Sequence, residues 1–388
     1  MLKTIKRLIR RRKAVSPVIA TILLIALTVT SVTVVYFLII PYLNRTQLDA
    51  FVLKVKDSDK DSKYDQITLY VSNFGTKELE INKITIYTVP EGLIGDSNYY
   101  SIHNNWTFVK AADAYLAPSE ITNAVITGTE QIILTAYENT YYRLEILYTG
   151  APDPYFTDWK ILNDQADFSD LLADFESFDL QAWGLSGTID VPGWVSNNYK
   201  TLGGPEHGPL VADQSIYLPV IGEAKYVPFY FTGKIVIFHS TNGNLTGQPT
   251  MQQIDRTSNP FKAKKLFLLG LAGSWGDEFP VGATALTLNV TYTDGSSSIW
   301  NLGHEYIDDW WKDSNSNHSP TYISECISAP YGMITEIDLG HQIDSPYEPI
   351  HTHTAGFSLD FYKYISYITF VDPGNDQSGP HLLSLTAG

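Results

Sequence analysis

The stretch QITLYVSNFGTKELEINKITIY (residues 66–87) decides the fold class. Apolar and polar residues alternate at the strand period of two, so Ile67, Leu69 and Val71 share one face. NFGT (73–76) is a turn signal. Beyond it KELEINKITIY supplies two more strand stretches, one with Leu79 and Ile81, the next with Ile84 and Ile86. Outward from there, FVLKVKD (51–57) alternates in the same way, while EQIILTAY and TYYRLEILYTG (130–150) read as another antiparallel pair. About seven short strands separated by turns predict a β-sandwich over residues 49–150.

The composition of the whole chain agrees with this. Of 388 residues, 25 are Tyr and 8 are Trp, set among short apolar alternations and polar loops, the texture of all-β extracellular domains. The length allows two domains outside a membrane. A single cysteine, Cys326, rules out an internal disulfide and any Cys-rich metal site.

A membrane enters because of residues 15–40, VSPVIATILLIALTVTSVTVVYFLII, which carry no charge. As a helix this run is about 39 Å long at roughly 1.5 Å per residue, enough to span a hydrocarbon core of roughly 30 Å with some tilt. A secretory signal has a shorter apolar core and a small-residue cleavage site after it; neither is present. Lys3, Lys6, Arg7, Arg10, Arg11, Arg12 and Lys13 precede the run and pin the N-terminus in the cytoplasm. Beyond it lie 19 basic residues against 42 acidic ones, a formal charge of −23 on the outward portion. Such acidity argues against nucleic acid as a partner, since phosphates need Lys and Arg. Pro17 directly after Ser16 reads as a helix start, because a first-turn N–H has no partner to lose.

KAVSPVIATILLIALTV (13–29) resembles the N-terminal segment of archaeal type IV pilins: a basic leader, a small residue, V-S-P-V-I, then an apolar helix. The resemblance implies a prepilin-type peptidase that cuts on the cytoplasmic side and leaves the helix on the mature protein. Carried over, the processing residues are Lys13, Ala14 and Val15, with the cut between Ala14 and Val15. It also implies that the helix, released from its basic leader, packs with other pilin subunits in a filament core. Bacterial pilins usually carry a glutamate early in this helix; here Ile19 stands in that region with no acid nearby, as is common in archaeal members. ITLYVSNFGTKELEINKITIY looks like the β-domain that follows the helix in archaeal pilins and archaellins. Residues 1–14 are then a cleaved leader, 15–48 the apolar helix and 49–150 the pilin-like sandwich. An uncut single-pass anchor is the simpler alternative.

Residues 151–185 join this part to the rest. GAPDPYFTDWK is polar and Pro-rich, as a linker is. In DFSDLLADFESFDL, Phe168, Leu171, Leu172, Phe175 and Phe178 recur at spacings of three and four, which predicts a short amphipathic helix.

Residues 186–388 form the second outer domain. KIVIFHS, KKLFLLGLAG, ALTLNVTYTDGSSSIWNLG and YISYITFVDP are strand-like, and Asp294-Gly295 marks a tight hairpin turn. AKKLFLLGLAGSWGDEFPVGATALTLNVTYTDGSSSIWNLGHEYIDDWW and ISYITFVDPGNDQSGPHLLSLTAG resemble the galactose-binding-like jelly rolls found beside glycoside hydrolase domains. The fold class is therefore mainly β: one long N-terminal helix, a sandwich, then a jelly-roll-like sandwich. The resemblance implies sugar binding. Sugars stack C–H faces on aromatic rings while carboxylates take their hydroxyls, so the candidates are Trp275, Asp277 and Glu278 in one loop. Tyr306, Trp310 and Trp311 are the candidates in another. The plain alternative is that these tryptophans plug the ends of the sandwich.

Sequons at Asn44, Asn105, Asn244, Asn289 and Asn317 offer glycosylation sites if the domains are outside. His351 and His353 in HTHT would face the same way on a strand, as metal ligands can, with His341 or Asp344 as a third; an exposed pair of loop histidines is the simpler reading. No cofactor is expected; calcium could use any acidic loop, but no EF-hand-type spacing is present. No nucleophile elbow, P-loop, H-E-x-x-H helix or haem motif occurs, and a non-enzyme is expected. The expected partners are the membrane, the peptidase, other pilin subunits and surface glycans.

Overall fold

The alternation at 66–87 folds into strands of two facing sheets. The computed structural model describes residues 17–39, 47–103, 106–109, 115–149, 151, 153–185, 188–190, 213–218, 220, 223, 225–241, 246–270, 283–303, 334–342, 345–374 and 379–388. Its first element is helix α1 (Pro17–Val34), continued by a wider turn over Val35–Ile39. The first sandwich contains β1 (Leu48–Lys56), β2 (Tyr64–Asn73), β3 (Leu79–Pro90), β4 (Ser101–His103) and β5 (Trp106–Val109). It continues with β6 (Tyr115–Leu116), β7 (Ile121–Ile132), β8 (Thr140–Tyr148), β9 (Tyr155–Phe156) and β10 (Lys160–Ile161). One sheet runs β1-β2-β7-β5; the other runs β10-β8-β3-β4, with β6 on β3 and β9 on β8. Val52, Val55, Ile67, Leu69 and Val71 meet Ile84, Ile86, Leu144 and Ile146 in a shared core.

Two details of the sequence reading change. The stretches around Leu79/Ile81 and Ile84/Ile86 are one strand, β3, with a bulge between Ile81 and Lys83. The apolar phase slips by one residue there, and the extra residue, Asn82, lets both apolar pairs face inward. EQIILTAY and TYYRLEILYTG do not pair: β7 lies beside β2, and β8 lies beside β3 in the opposite sheet. The connection between them crosses the sandwich because Leu134 is buried in the core and the Thr135 carbonyl is taken by Asn163 Nδ2 at 3.0 Å.

At the NFGT turn, Asn73 is fully buried. Its Oδ1 accepts from the Gly75 N–H at 2.9 Å, and its Nδ2 donates to the carbonyls of Lys77 and Leu116. This fastens the β2–β3 turn to the β6 strand.

The second sandwich holds β11 (Glu176–Phe178), β12 (Thr188–Asp190), β13 (Gln214–Leu218), β14 (Val227–Phe231), β15 (Lys234–Ile237) and β16 (Met251–Asp255). Then come β17 (Lys265–Gly270), β18 (Leu286–Tyr292), β19 (Ser297–Leu302), β20 (Ile334–Gln342), β21 (Ser345–Ser358), β22 (Ile365–Val371) and β23 (His381–Ala387). The larger sheet runs β12-β15-β23-β17-β21-β20 with β11 on β23, the smaller runs β16-β22-β18-β19, and β13-β14 is a separate ribbon. From β15 to β18 and again from β21 to β23 the chain crosses between the two sheets at each step, while β18–β19 and β20–β21 are antiparallel neighbours within one sheet, a jelly-roll-like sandwich. Leu286, Leu288, Val290, Ile368 and Phe370 pack against Leu266, Leu268, Phe357, Leu382 and Leu385. The β18–β19 hairpin turns at Asp294-Gly295 as expected, with Gly295 at φ +83°.

The amphipathic helix expected in the join is absent. A single 3-10 turn (Asn163–Gln165) precedes an extended strap that ends in β11. Backbone partners outcompete the helix: the Asp167 N–H donates to the Val55 carbonyl at 2.7 Å and the Leu172 N–H to the Lys262 carbonyl at 3.0 Å. The apolar residues are divided between the two bodies. Phe168 packs on the first core, whereas Leu172 and Phe178 belong to the second.

Candidate functional site

α1 is apolar all round, and a twenty-residue window, Val18–Phe37, has a mean hydropathy of 2.5. Every side chain described in that window is exposed; none packs on the sandwiches. The hydroxyls within it are satisfied internally. Thr30, Ser31 and Thr33 donate to the carbonyls of Ala26, Leu27 and Val29 at 2.7–2.8 Å, so they bring no unpaired donor into an apolar medium. The helix is long and apolar enough to cross a membrane, by length and composition. Pro17 is its first residue, as the sequence predicts, while Lys13, Ala14, Val15 and Ser16 lie outside the described residues.

Between the sandwiches lies a joint built largely of polar groups. The β1–β2 loop reaches the second body through Ser62, whose Oγ accepts from the Tyr364 N–H at 2.8 Å and lies 2.7 Å from Thr293 Oγ1. Tyr64 donates its hydroxyl to the Tyr362 carbonyl at 3.1 Å and accepts from Lys262 Nζ at 3.2 Å. Lys262 is 1% exposed, with its ammonium 5.0 Å from the Tyr64 ring centre and 4.4 Å from that of Tyr364. Burial pushes the Lys262 ammonium below its ordinary pKa, and the charge of Asp57 pulls the other way. Asp57, also buried, is pushed up to about 6 by desolvation, against the Ser62 N–H it accepts.

The same loop carries the one cluster of potential metal ligands found among the described residues. Carboxylate oxygens of Asp57, Asp59 and Asp61 lie within 4.8 Å of one another, a donor set suited to a hard divalent cation. Hydrogen bonds inside the loop also account for this arrangement, since Asp57 accepts from the backbone of Asp61 and Ser62. The D-x-D-x-D spacing of 57–61 is the signal that could have found it; a search for the full calcium loop passes over it.

A cleft of about 540 Å³ opens on the second sandwich, between the β13–β14 ribbon, the strap and the start of β17. Phe175 and Phe267, whose rings meet edge to face at 5.6 Å, and Pro228 form apolar lining. Tyr217 and Tyr226 flank it, 61% and 60% exposed. Lys225 and Lys264 are exposed beside it, Lys265 pairs with Glu223, and Asp174 adds a further acid. Nothing in the local sequence pattern marks these residues as a group, because they come from three separate segments.

Trp275, Asp277, Glu278, Tyr306, Trp310 and Trp311 lie outside the described residues, as do Asn44, Asn105, Asn244 and Asn317. Asn289 is half-buried in β18, between β22 and β19, and its Oδ1 is buried without a hydrogen bond. HTHT is not an exposed loop: it lies in β21, and His353 is fully buried opposite Gly270. Asp344 lies outside the described residues, and so do the side chains of His341 and His351.

No protein-family model matches the chain, and no curated protein matches it. Among solved structures it is similar to the archaellum periplasmic stator protein FlaG from Sulfolobus acidocaldarius, at 16% identity and a TM-score of 0.20, over 30% of this chain and 100% of that one. The putative ApaA protein from Bordetella pertussis is similar at 12% identity and 0.20, over 31% and 95% of the two chains. A β-glucosidase from Kluyveromyces marxianus is similar at 15% identity and 0.17, over 30% of this chain and 14% of that one. Similarity of this degree carries no argument about activity.

Proposed function

We propose that the chain is a surface-filament subunit of the archaeal type IV pilin kind, structural and adhesive rather than catalytic. The observation that carries this reading is the bare helix. From Val18 to Phe37 its side chains are exposed and mostly apolar, with the hydroxyls of Thr28, Thr30, Ser31 and Thr33 bonded back to the helix, so it needs lipid or other helices around it. A bilayer supplies that environment first, and copies of the same helix supply it in a filament core. Prepilin-type processing between Ala14 and Val15 would remove the basic leader and permit the exchange. The two sandwiches then face outward, and the second is the half that binds surface glycans.

The test is the N-terminal residue of the mature protein, read by mass spectrometry from membranes and from sheared surface material. A start at or next to Val15, found in the sheared fraction, supports filament assembly. An intact Met1 confined to membranes overturns it and leaves a single-pass, membrane-anchored surface lectin.

A further inference from the structure

The second sandwich is sparing with what it leaves exposed. Among its residues whose side chains are described, Tyr217 and Tyr226 are the exposed aromatic rings; the other aromatic side chains described there are buried or half-buried. Lys225 and Lys264 are likewise its exposed lysines among the described residues, since Lys262 and Lys363 are buried and Lys234 and Lys265 are half-buried. All four line the one cleft. Two exposed tyrosines and two exposed lysines on one cleft, in an outward portion with a formal charge of −23, make a local exception to the surface around it.

From this juxtaposition we propose that the cleft is a binding site for acidic saccharides, sugars that carry a carboxylate. The chemistry divides among the lining groups. A tyrosine ring offers its face to the C–H groups of a pyranose, at low cost in side-chain freedom. Lys225 and Lys264 supply charge for the uronate carboxylate, and their exposed position makes that attraction salt-sensitive. Asp174 and the ion-paired Glu223 are acceptors for the remaining hydroxyls. Phe267, buried, and Pro228, half-buried, hold the floor in place. The volume of about 540 Å³ suits one or two sugar rings. A neutral sugar leaves both lysines without a counter-charge, and a purely acidic peptide leaves the tyrosine faces unused.

This deepens the glycan-binding part of the proposed function and is independent of filament assembly. The test uses the full chain in detergent micelles, with calorimetric titration of tetragalacturonate and of a neutral tetrasaccharide of the same linkage. Saturable binding of the uronate, weakened about tenfold by Tyr217→Ala and by Lys264→Gln and weakened by added salt, is the expected result. Thermal unfolding of both variants should match the parent, since both residues are exposed. Failure of the uronate to bind overturns the proposal. So does equal binding of the neutral sugar, preference for a poly-glutamate peptide, or affinity unchanged in both variants. None of these outcomes bears on the N-terminal residue, which tests assembly separately.

Discussion

His381 begins β23 and has no exposed surface. Burial pushes its imidazole down to about 3, from an ordinary value near 6.5, against a hydrogen bond to the Gly379 backbone; the nearby His353 pushes the same way. The unfolded chain therefore binds this proton first. Its contribution to stability is fully present above about pH 6.5 and is lost as the pH falls toward 3, with a slope of at most about 1.4 kcal/mol per pH unit. Asp57 has the opposite sign. Its carboxyl is raised to about 6 from 3.8, so its contribution is full below pH 3.8 and lost as the pH rises through 6. In urea unfolding of the chain from residue 47 on, His381→Leu should flatten the loss of stability between pH 6.5 and 4. Asp57→Asn should make that loss steeper. Changes of the same sign in both variants would show that these two groups do not govern the acid limb.

At the scale of elements, β17 depends on Gly270. It sits at φ +136° beside a bulge, and a Cβ built there would lie 2.4 Å from the His381 carbonyl oxygen and 2.9 Å from Leu382 Cα. Backbone cannot move aside as a side chain can, so Gly270→Ala should destabilise the second sandwich by about 1–3 kcal/mol or more. A lower thermal midpoint with unchanged tetragalacturonate affinity in the folded protein is the expected pair of readouts. The element scale also shows what could be read in advance. The period-two run at 66–72 and the Asp294-Gly295 hairpin are local signals and appear where expected; 51–56 is strand, but a bulge between Val52 and Lys54 breaks its alternation, so Val52 and Val55 are buried and Leu53 is exposed. The phase slip from Leu79/Ile81 to Ile84/Ile86 was written in the residues, but it marks a bulge rather than a second strand. The strap at 163–178 has helical spacing because its apolar residues serve two different cores, a fact that no local pattern contains. The cleft was illegible for a related reason: Tyr217, Tyr226, Lys264 and Phe175 meet only after β11, β14 and β17 are in place.

For the whole molecule, the joint couples two bodies that each have a core. Phe168 of the strap lies 5.7 Å from Phe361 and 5.3 Å from Tyr362, measured between ring centres, while Asp360 accepts from the Ala136 N–H across the boundary. Tyr364 donates to Asp170 of the strap at 2.6 Å. Such contacts make the two sandwiches unfold together. Phe168→Ala should remove about 1–3 kcal/mol of that coupling, and a single calorimetric transition in the parent should separate into two. Two transitions already present in the parent would sink this account of the joint.

The strap's direction has a mechanical consequence. It runs parallel to β1 where Ala166 meets Val55, and parallel to the 261–263 segment where Leu171 meets Lys262. A tug between the helix and the second sandwich draws β1 back from its first residue and the strap forward from its last. The Asp167-to-Val55 hydrogen bond joining them is then loaded in shear, along the strands, instead of being peeled open from one end. If the helix is held and the second sandwich binds a surface, as proposed above, this bridge lies along the line of pull.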